Sequence, residues 1–222
     1  DEKMQAVLAL GKKNNAKFLM MVTDNGTVKK TKISEFDSIR TSGKIAIKLE
    51  KNDSLKWVKP TTGEDHVLLV SNNGKSIKFK EEDVRPTARD TMGVRGIDLK
   101  NDDSVVGMEV TTPKSDIEIL IVTEMGLGKR TAVGEWPLQN RGGQGVKAAE
   151  VTTKTGKIVS CMAVGDHIGQ IIITSKSAQV IRTDLKSVPK LGRATQGVIL
   201  MRFSEKNDNV AAVAVLEKND QD

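Results

Sequence analysis

Short apolar runs recur along the chain, and each is followed by a turn and a more polar return segment. The runs are Phe18 to Val22, Val67 to Val70, Ile117 to Val122 and Ile171 to Ile173. Their brevity and their content of β-branched, Leu and Met residues predict strands. The turns are Thr23-Asp24-Asn25-Gly26, Ser71-Asn72-Asn73-Gly74, Thr123-Glu124-Met125-Gly126 and Ser175-Lys176-Ser177-Ala178. Asn-Gly in the first two predicts two-residue hairpin turns of type I′, which need positive φ at both central residues. Return strands are predicted over 28–31, 76–79, 128–131 and 180–183. Further strands are predicted over 94–99 and 198–203, and closing strands over 55–58, 105–110, 158–164 and 210–215. No segment sustains a 3.6-residue apolar period over helical length, so the chain reads as all-β.

The turns expose an internal repeat. Their last residues, Gly26, Gly74, Gly126 and Ala178, are spaced by 48, 52 and 52 residues. Three residues before each stands a hydroxyl: Thr23, Ser71, Thr123, Ser175. Four residues after each stands a basic side chain: Lys30, Lys78, Arg130, Arg182. Ten residues after each stands an apolar one: Phe36, Val84, Trp136, Val188. An arginine follows, Arg40, Arg89, Arg141 or Arg193, and then a glycine, Gly43, Gly93, Gly145 or Gly197. About four strands per unit of roughly 50 residues is the signature of a radial array of four-stranded blades, because one small sheet cannot bury both faces alone. The expected layout is a single repeat domain over 1–222. Its repeats fall at about 11–58, 59–110, 111–164 and 165–216, and 1–10, with Met4 to Leu10, supplies the closing strand of a preceding repeat. The missing initiator Met points to a fragment or a processed chain.

Charge then narrows the partner. The net charge of +6 suits a phosphate-rich ligand. Aromatic residues make up only 3% and Tyr is absent, which argues against base stacking on aromatic platforms. One arginine per repeat at a common position predicts a basic rim that follows a duplex backbone, independent of sequence and sensitive to salt. The candidates are Arg40, Lys44, Arg89, Arg95, Gln139, Arg141, Gly142, Gly143, Gln144, Gly145, Lys147, Arg193 and Arg202. In Gln139-Asn140-Arg141-Gly142-Gly143-Gln144-Gly145 the glycines allow close approach to a phosphate and Arg141 can grip it with two bonds. The second basic series, Lys30, Lys78, Arg130 and Arg182, reads equally as a DNA contact or as a solubilising outer strand face.

Other chemistry is excluded. Gly126-Leu127-Gly128-Lys129-Arg130-Thr131 lacks the spacing and the hydroxyl of a phosphate-binding P-loop. His66, His167 and the single Cys161 make no zinc set. Cys161 reads as a buried small hydrophobe in a reducing cytoplasm, and Trp57 and Trp136 as packing residues. Asp102-Asp103 and Asp208 read as turn formers. No apolar run is long enough to span a bilayer.

The segment Gln139 to Gly145 resembles the Gln-basic-Arg-Gly-Gly-basic-Gly box of the DNA gyrase A C-terminal domain family, departing at Asn140 and Gln144. Gly26-Thr27-Val28-Lys29-Lys30-Thr31, Val84-Arg85-Pro86, Gly93-Val94-Arg95-Gly96-Ile97, Gly126-Leu127-Gly128-Lys129-Arg130-Thr131 and Thr195-Gln196-Gly197-Val198 are similar to that family too. The resemblance implies a β-pinwheel that wraps double-stranded DNA around its perimeter with positive handedness. It implies a noncatalytic module without cofactor, working with gyrase B and with the rest of the gyrase A subunit. ATP and Mg would act on other domains of the enzyme, which negatively supercoils the bacterial chromosome in the cytoplasm. A chain without Tyr cannot perform the family's tyrosine-dependent DNA cleavage. The alternatives are the related domain of topoisomerase IV and, in another class, a propeller-like protein-interaction scaffold.

Overall fold

The computed structural model describes residues 15–37, 43–100 and 102–218. Arg40 and the strand expected at 4–10 lie outside them. Fifteen strands are described. The first repeat holds β1 (Phe18–Thr23), β2 (Thr27–Lys32) and β3 (Leu55–Thr61). The second holds β4 (His66–Ser71), β5 (Lys75–Lys80), β6 (Val94–Arg95) and β7 (Val105–Thr111). The third holds β8 (Glu118–Thr123), β9 (Leu127–Ala132), β10 (Val146–Lys147) and β11 (Ile158–Val164). The fourth holds β12 (Ile168–Ser175), β13 (Val180–Asp184), β14 (Val198–Ile199) and β15 (Val210–Glu217).

Each hairpin closes by a type I turn followed by a left-handed residue, not by type I′. The amides of Gly26, Gly74, Gly126 and Ala178 donate to the carbonyls of Thr23, Ser71, Thr123 and Ser175. Positive φ falls on the anchor alone, at 85°, 84°, 76° and 64°. This three-residue loop keeps Asn25 and Asn73 in ordinary conformations. The repeated hydroxyl finds its reason here. Thr23, Ser71 and Ser175 accept from the backbone N–H one residue past the anchor, at 3.1, 3.2 and 3.1 Å. Asp53 and Asp208 brace the same tips: Asp53 accepts from Asn25 N–H at 3.1 Å and Asp208 from Ser177 N–H at 3.0 Å.

The sheets are assembled across repeats. Their orders are β3-β1-β2-β6, β10-β5-β4-β7, β11-β8-β9-β14 and β13-β12-β15. The fourth strand of each of the first three sheets therefore comes from the following repeat. The expected strands at 94–99 and 198–203 shrink to two residues because the next two amides, Gly96 and Ile97 or Leu200 and Met201, both turn onto one anchor carbonyl instead of continuing the ladder. Val94 and Arg95 pair with Val28 and Thr27, Val146 and Lys147 with Ser76 and Lys75, and Val198 and Ile199 with Gly128 and Leu127. After each pair the donated chain crosses the anchor glycine, whose carbonyl accepts from Gly96, Ala148 or Leu200 N–H at 2.8, 2.7 and 2.8 Å.

The chain divides into two compact units. One is Asp1–Leu69, Ile77–Pro113 and Leu138–Gly145; the other is Val70–Ser76, Lys114–Pro137 and Val146–Asp222. The first is centred on Met20, Val28, Leu69, Phe79, Ile97 and Met108, and the second on Leu120, Val122, Ile171, Ile173, Val188 and Met201. Burying aliphatic side chains at about 25 cal/mol per Å² supplies the driving force in a chain with so few aromatics. Trp136 is fully buried and its indole N–H donates to Ser76 Oγ at 2.8 Å, the partner a buried indole needs.

Candidate nucleic-acid interface

The three described arginines of the repeat do one thing in common: each binds the backbone carbonyl two residues past the glycine of the preceding repeat, which for Arg141 and Arg193 lies on the donated strands β6 and β10. Arg89 Nη1 donates to Ile45 O at 2.9 Å, Arg141 Nη1 to Arg95 O at 3.1 Å, and Arg193 Nη1 to Lys147 O. Ile45, Arg95 and Lys147 each lie two residues past the repeat's glycine, so the three bonds are equivalent. Arg141 Nε also donates to Asp83 O at 2.9 Å, and Arg193 Nε to Glu135 O at 3.3 Å. The guanidinium's fixed fork suits two carbonyls on neighbouring segments. Half-exposed Arg141 and Arg193 staple their turns onto β6 and β10, the strands handed to the sheet before, and half-exposed Arg89 ties its turn to the irregular segment at Ile45.

The turns around them are built in two ways. In 191–197 the Lys129 ammonium sits at the centre and donates to the carbonyls of Gly192 at 3.0 Å, Arg193, and Thr195 at 2.9 Å. Lys129 is 1% exposed, and burial pushes its ammonium down to about 8. Lys29 does the same in the earlier turn, donating to Arg89 O and to Ala46 O at 2.8 Å. Turn 139–145 has Ile77 at the corresponding place. There Gly142 N–H donates to Gly96 O at 2.6 Å and Gly143 O accepts from Asp98 N–H at 2.9 Å. Lys29 and Lys129 were not among the sequence candidates. The signal for them was the alternation Lys29, Ile77, Lys129, Ile181, which marks one interior position filled in two ways.

The second basic series is mostly interior, which corrects its reading as a solvated strand face. Lys30 is 4% exposed, donates to Glu81 O at 2.7 Å and lies 5.1 Å from the Phe18 ring centre. Lys78 is 8% exposed, and burial lowers both ammonium pKa values. Arg130 binds Glu118 at 2.7 Å and Val188 O at 2.8 Å. Arg182 alone of the four is exposed, with its Nε on Gln170 Oε1 at 2.5 Å.

The cations that face solvent are elsewhere. Arg95 on β6 is 68% exposed and 3.5 Å from Asp98; Lys147 on β10 is exposed and paired with Glu150 in the same i,i+3 relation. Such surface pairs contribute at most about 1 kcal/mol, so a phosphate can exchange for the carboxylate. Arg202 and Gln144 are exposed, and Gln139 is fixed by its N–H on Lys78 O at 2.8 Å. Lys44 reaches Glu35 O at 3.2 Å. The candidates thus separate into staples (Arg89, Arg141, Arg193), exposed cations on donated segments (Arg95, Lys147, Arg202) and a glycine-built turn (139–145). Among the described residues no cluster of three His, Cys, Asp or Glu could hold a metal ion.

The family model of the DNA gyrase C-terminal domain, beta-propeller, matches residues 17–62, 65–112, 118–164 and 169–217. The chain belongs to this family. Its four sheets are the blades of that architecture, with strands exchanged between neighbours. The DNA gyrase A protein of Escherichia coli strain K12 is 41% identical over 222 residues, all of this chain. That of Staphylococcus epidermidis strain ATCC 12228 is 38% identical over 203 residues, 91% of the chain. The chain spans 25% and 22% of those two proteins. Among solved structures, the C-terminal domain of DNA topoisomerase IV superposes with a TM-score of 0.83 at 26% identity, covering 92% of this chain and 63% of that one. A DNA gyrase A C-terminal domain superposes with a TM-score of 0.75 at 26% identity, covering 94% and 72%.

Proposed function

We propose that this domain binds double-stranded DNA through its phosphate backbone and wraps it, as the noncatalytic C-terminal part of a gyrase A subunit. The observation that carries the reading is the threefold staple. Arg89, Arg141 and Arg193 hold equivalent turns by equivalent carbonyls, and the two of these carbonyls that lie on donated strands belong to the residues those strands present to solvent, Arg95 and Lys147. A rigid support under an exposed cation is what non-specific backbone binding needs, because affinity then comes from counterion release and not from base contacts. Arg95, Lys147 and Arg202 are the phosphate contacts in this reading. Arg141 and Arg193 position Arg95 and Lys147, Arg89 holds the equivalent turn of the second repeat, and Gln139 to Gly145 bring backbone close to the duplex. Lys44 adds a cation in the first repeat and Arg40 belongs to the same series by sequence. Gyrase B and the rest of the gyrase A subunit are the protein partners. Strand cleavage, ATP and Mg belong to those other parts, and the site of action is the bacterial chromosome in the cytoplasm.

Titrating a mixed-sequence duplex against salt tests the binding. The reading expects log K to fall by about 0.9 for every phosphate neutralised. The triple variant Arg95→Gln, Lys147→Gln, Arg202→Gln should bind all sequences more weakly and lower the salt slope by about 2 to 3. A shallow slope in the wild type, or an unchanged slope in the variant, rejects it. Sealing nicked circles with the domain bound then tests wrapping: a positive linking-number change is expected, and none means binding without a wrap.

A further inference from the structure

We infer that residue 178 decides whether the fourth sheet can take a donated strand, and that alanine there closes it. In the first three sheets the anchor is glycine, and the donated chain runs directly over it. A Cβ on Gly26 would lie 3.2 Å from Ile97 O, on Gly74 2.9 Å from Ala149 O, and on Gly126 2.5 Å from Met201 O. These three carbonyls occupy the same position, four residues past the glycine of each donated segment. On Gly74 and Gly126 a methyl group would meet a backbone oxygen less than 3.0 Å away, and on Gly26 it would also meet Ile97 Cγ2 at 2.7 Å, so the donated chain would have to shift in each case. The anchor glycine therefore has two duties: a left-handed turn and clearance for the incoming strand.

Ala178 keeps the first duty and abandons the second. Its φ is 64°, and its N–H makes the same turn bond, to Ser175 O at 3.1 Å. Among the described residues the other non-glycine positions with positive φ are Asn52, Asp102 and Asn207, types that tolerate the left-handed region. Alanine is the exception. Its methyl group stands where an Ile97-, Ala149- or Met201-like carbonyl would arrive. The fourth sheet has three described strands, β13 is its edge, and Val180 is 59% exposed there. The pairing positions are still present, because Gln179 and Val180 correspond to Thr27 and Val28, which receive β6. Gln179 instead turns its side chain on its own repeat, donating to Arg202 O at 2.9 Å and accepting from Ser204 N–H at 3.0 Å.

Among the described residues nothing pairs with the outer side of β13, and an edge of this kind invites strands from other molecules. The donor it is built to refuse is a Gly-Val-x-x-Ile-type segment such as Gly93 to Ile97, which another copy of the chain could offer, and head-to-tail strand exchange would then continue without closing. Ala178 blocks that route while leaving the hairpin intact.

The test uses the whole chain and a labelled peptide of residues 90–100, read by fluorescence anisotropy. The Ala178→Gly variant should bind the peptide at least tenfold more tightly than the wild type. Equal binding by the two proteins, or binding by neither, overturns the proposal. The converse variant, Gly126→Ala, keeps the turn but should expel β14. Amide exchange at Leu200 and Met201 should then rise at least a hundredfold while the Leu120 and Val122 amides of β8 stay protected. Unchanged exchange at Leu200 and Met201 also overturns it.

Discussion

Turns 191–197 and 139–145 occupy the same place in consecutive repeats, yet their interiors are opposite in kind. The first is organised by a buried ammonium, with three carbonyls converging on Lys129. The second has Ile77 at that position and gathers its backbone by direct contact with the donated segment, through Gly142 N–H to Gly96 O and Asp98 N–H to Gly143 O. Glycine at 142, with φ of 81°, and at 145, with φ of 67°, gives the chain the path it needs. Carbonyls must find donors wherever the chain turns inward. A cation can gather them from a distance, whereas main-chain donors require close approach. The stapling arginine, Arg193 or Arg141, is common to both solutions, so it holds the turn to the donated strand and does not shape its interior.

The comparison breaks most severely if the two centres are exchanged. Ile77→Lys puts an ammonium where no carbonyls converge, in a fully buried site. It should destabilise the domain by about 4 kcal/mol, measured by urea unfolding. Lys129→Met strips the ammonium from three carbonyls, of which Gly192 O keeps Thr195 N–H and Oγ1, Thr195 O keeps Glu150 N–H and Arg193 O loses the donor it has here, and should cost about 3 kcal/mol. A much smaller loss would mean that the turn finds other donors. Gly142→Ala forces a left-handed alanine 3.3 Å from Arg95 O and should cost about 2 kcal/mol, whereas Ala194→Gly in the other turn should change stability by under about 1 kcal/mol. Arg141→Lys removes the fork that reaches Asp83 O and Arg95 O, and should cost about 1 kcal/mol while DNA affinity falls through misplacement of Arg95.

A pH series sharpens the same contrast. The folded protein releases the Lys129 proton near pH 8, below the ordinary value of 10.5. Between these values the unfolded chain binds more protons, so this group's contribution to stability becomes more favourable as pH rises through the window. The difference in unfolding free energy between wild type and Lys129→Met should grow by about 1 kcal/mol per pH unit above pH 8. No growth would show that the folded ammonium keeps its proton throughout.

Much of the fold was legible in the sequence. The apolar runs, the turn residues and the repeat located the hairpins to within a residue or two, since a hairpin is specified by neighbours along the chain. The hydroxyl before each anchor was visible as a pattern; Thr23, Ser71 and Ser175 accept from the hairpin amide and Thr123 donates to Leu127 O, so each closes the same turn. The candidate site was read less well. Lys30 and Lys78 look like solvated charges on a strand, because a single strand does not reveal that both of its faces are covered. Arg141 and Arg193 were recognised as recurrent, but their carbonyl partners lie 46 or more residues away.

What the sequence determined by itself was local: alternation and turn chemistry fix where strands begin, where they reverse, and that four similar units follow one another. Only the tertiary structure decided which sheet each short strand joins. Val94–Arg95 carries too few residues to encode a partner, and its place beside β2 follows from the clearance over Gly26 and the shared core. The burial of Lys29 and Lys129 was decided there as well. A charge is stable inside a protein only when distant carbonyls are assembled around it, and that assembly exists only once the repeats have packed.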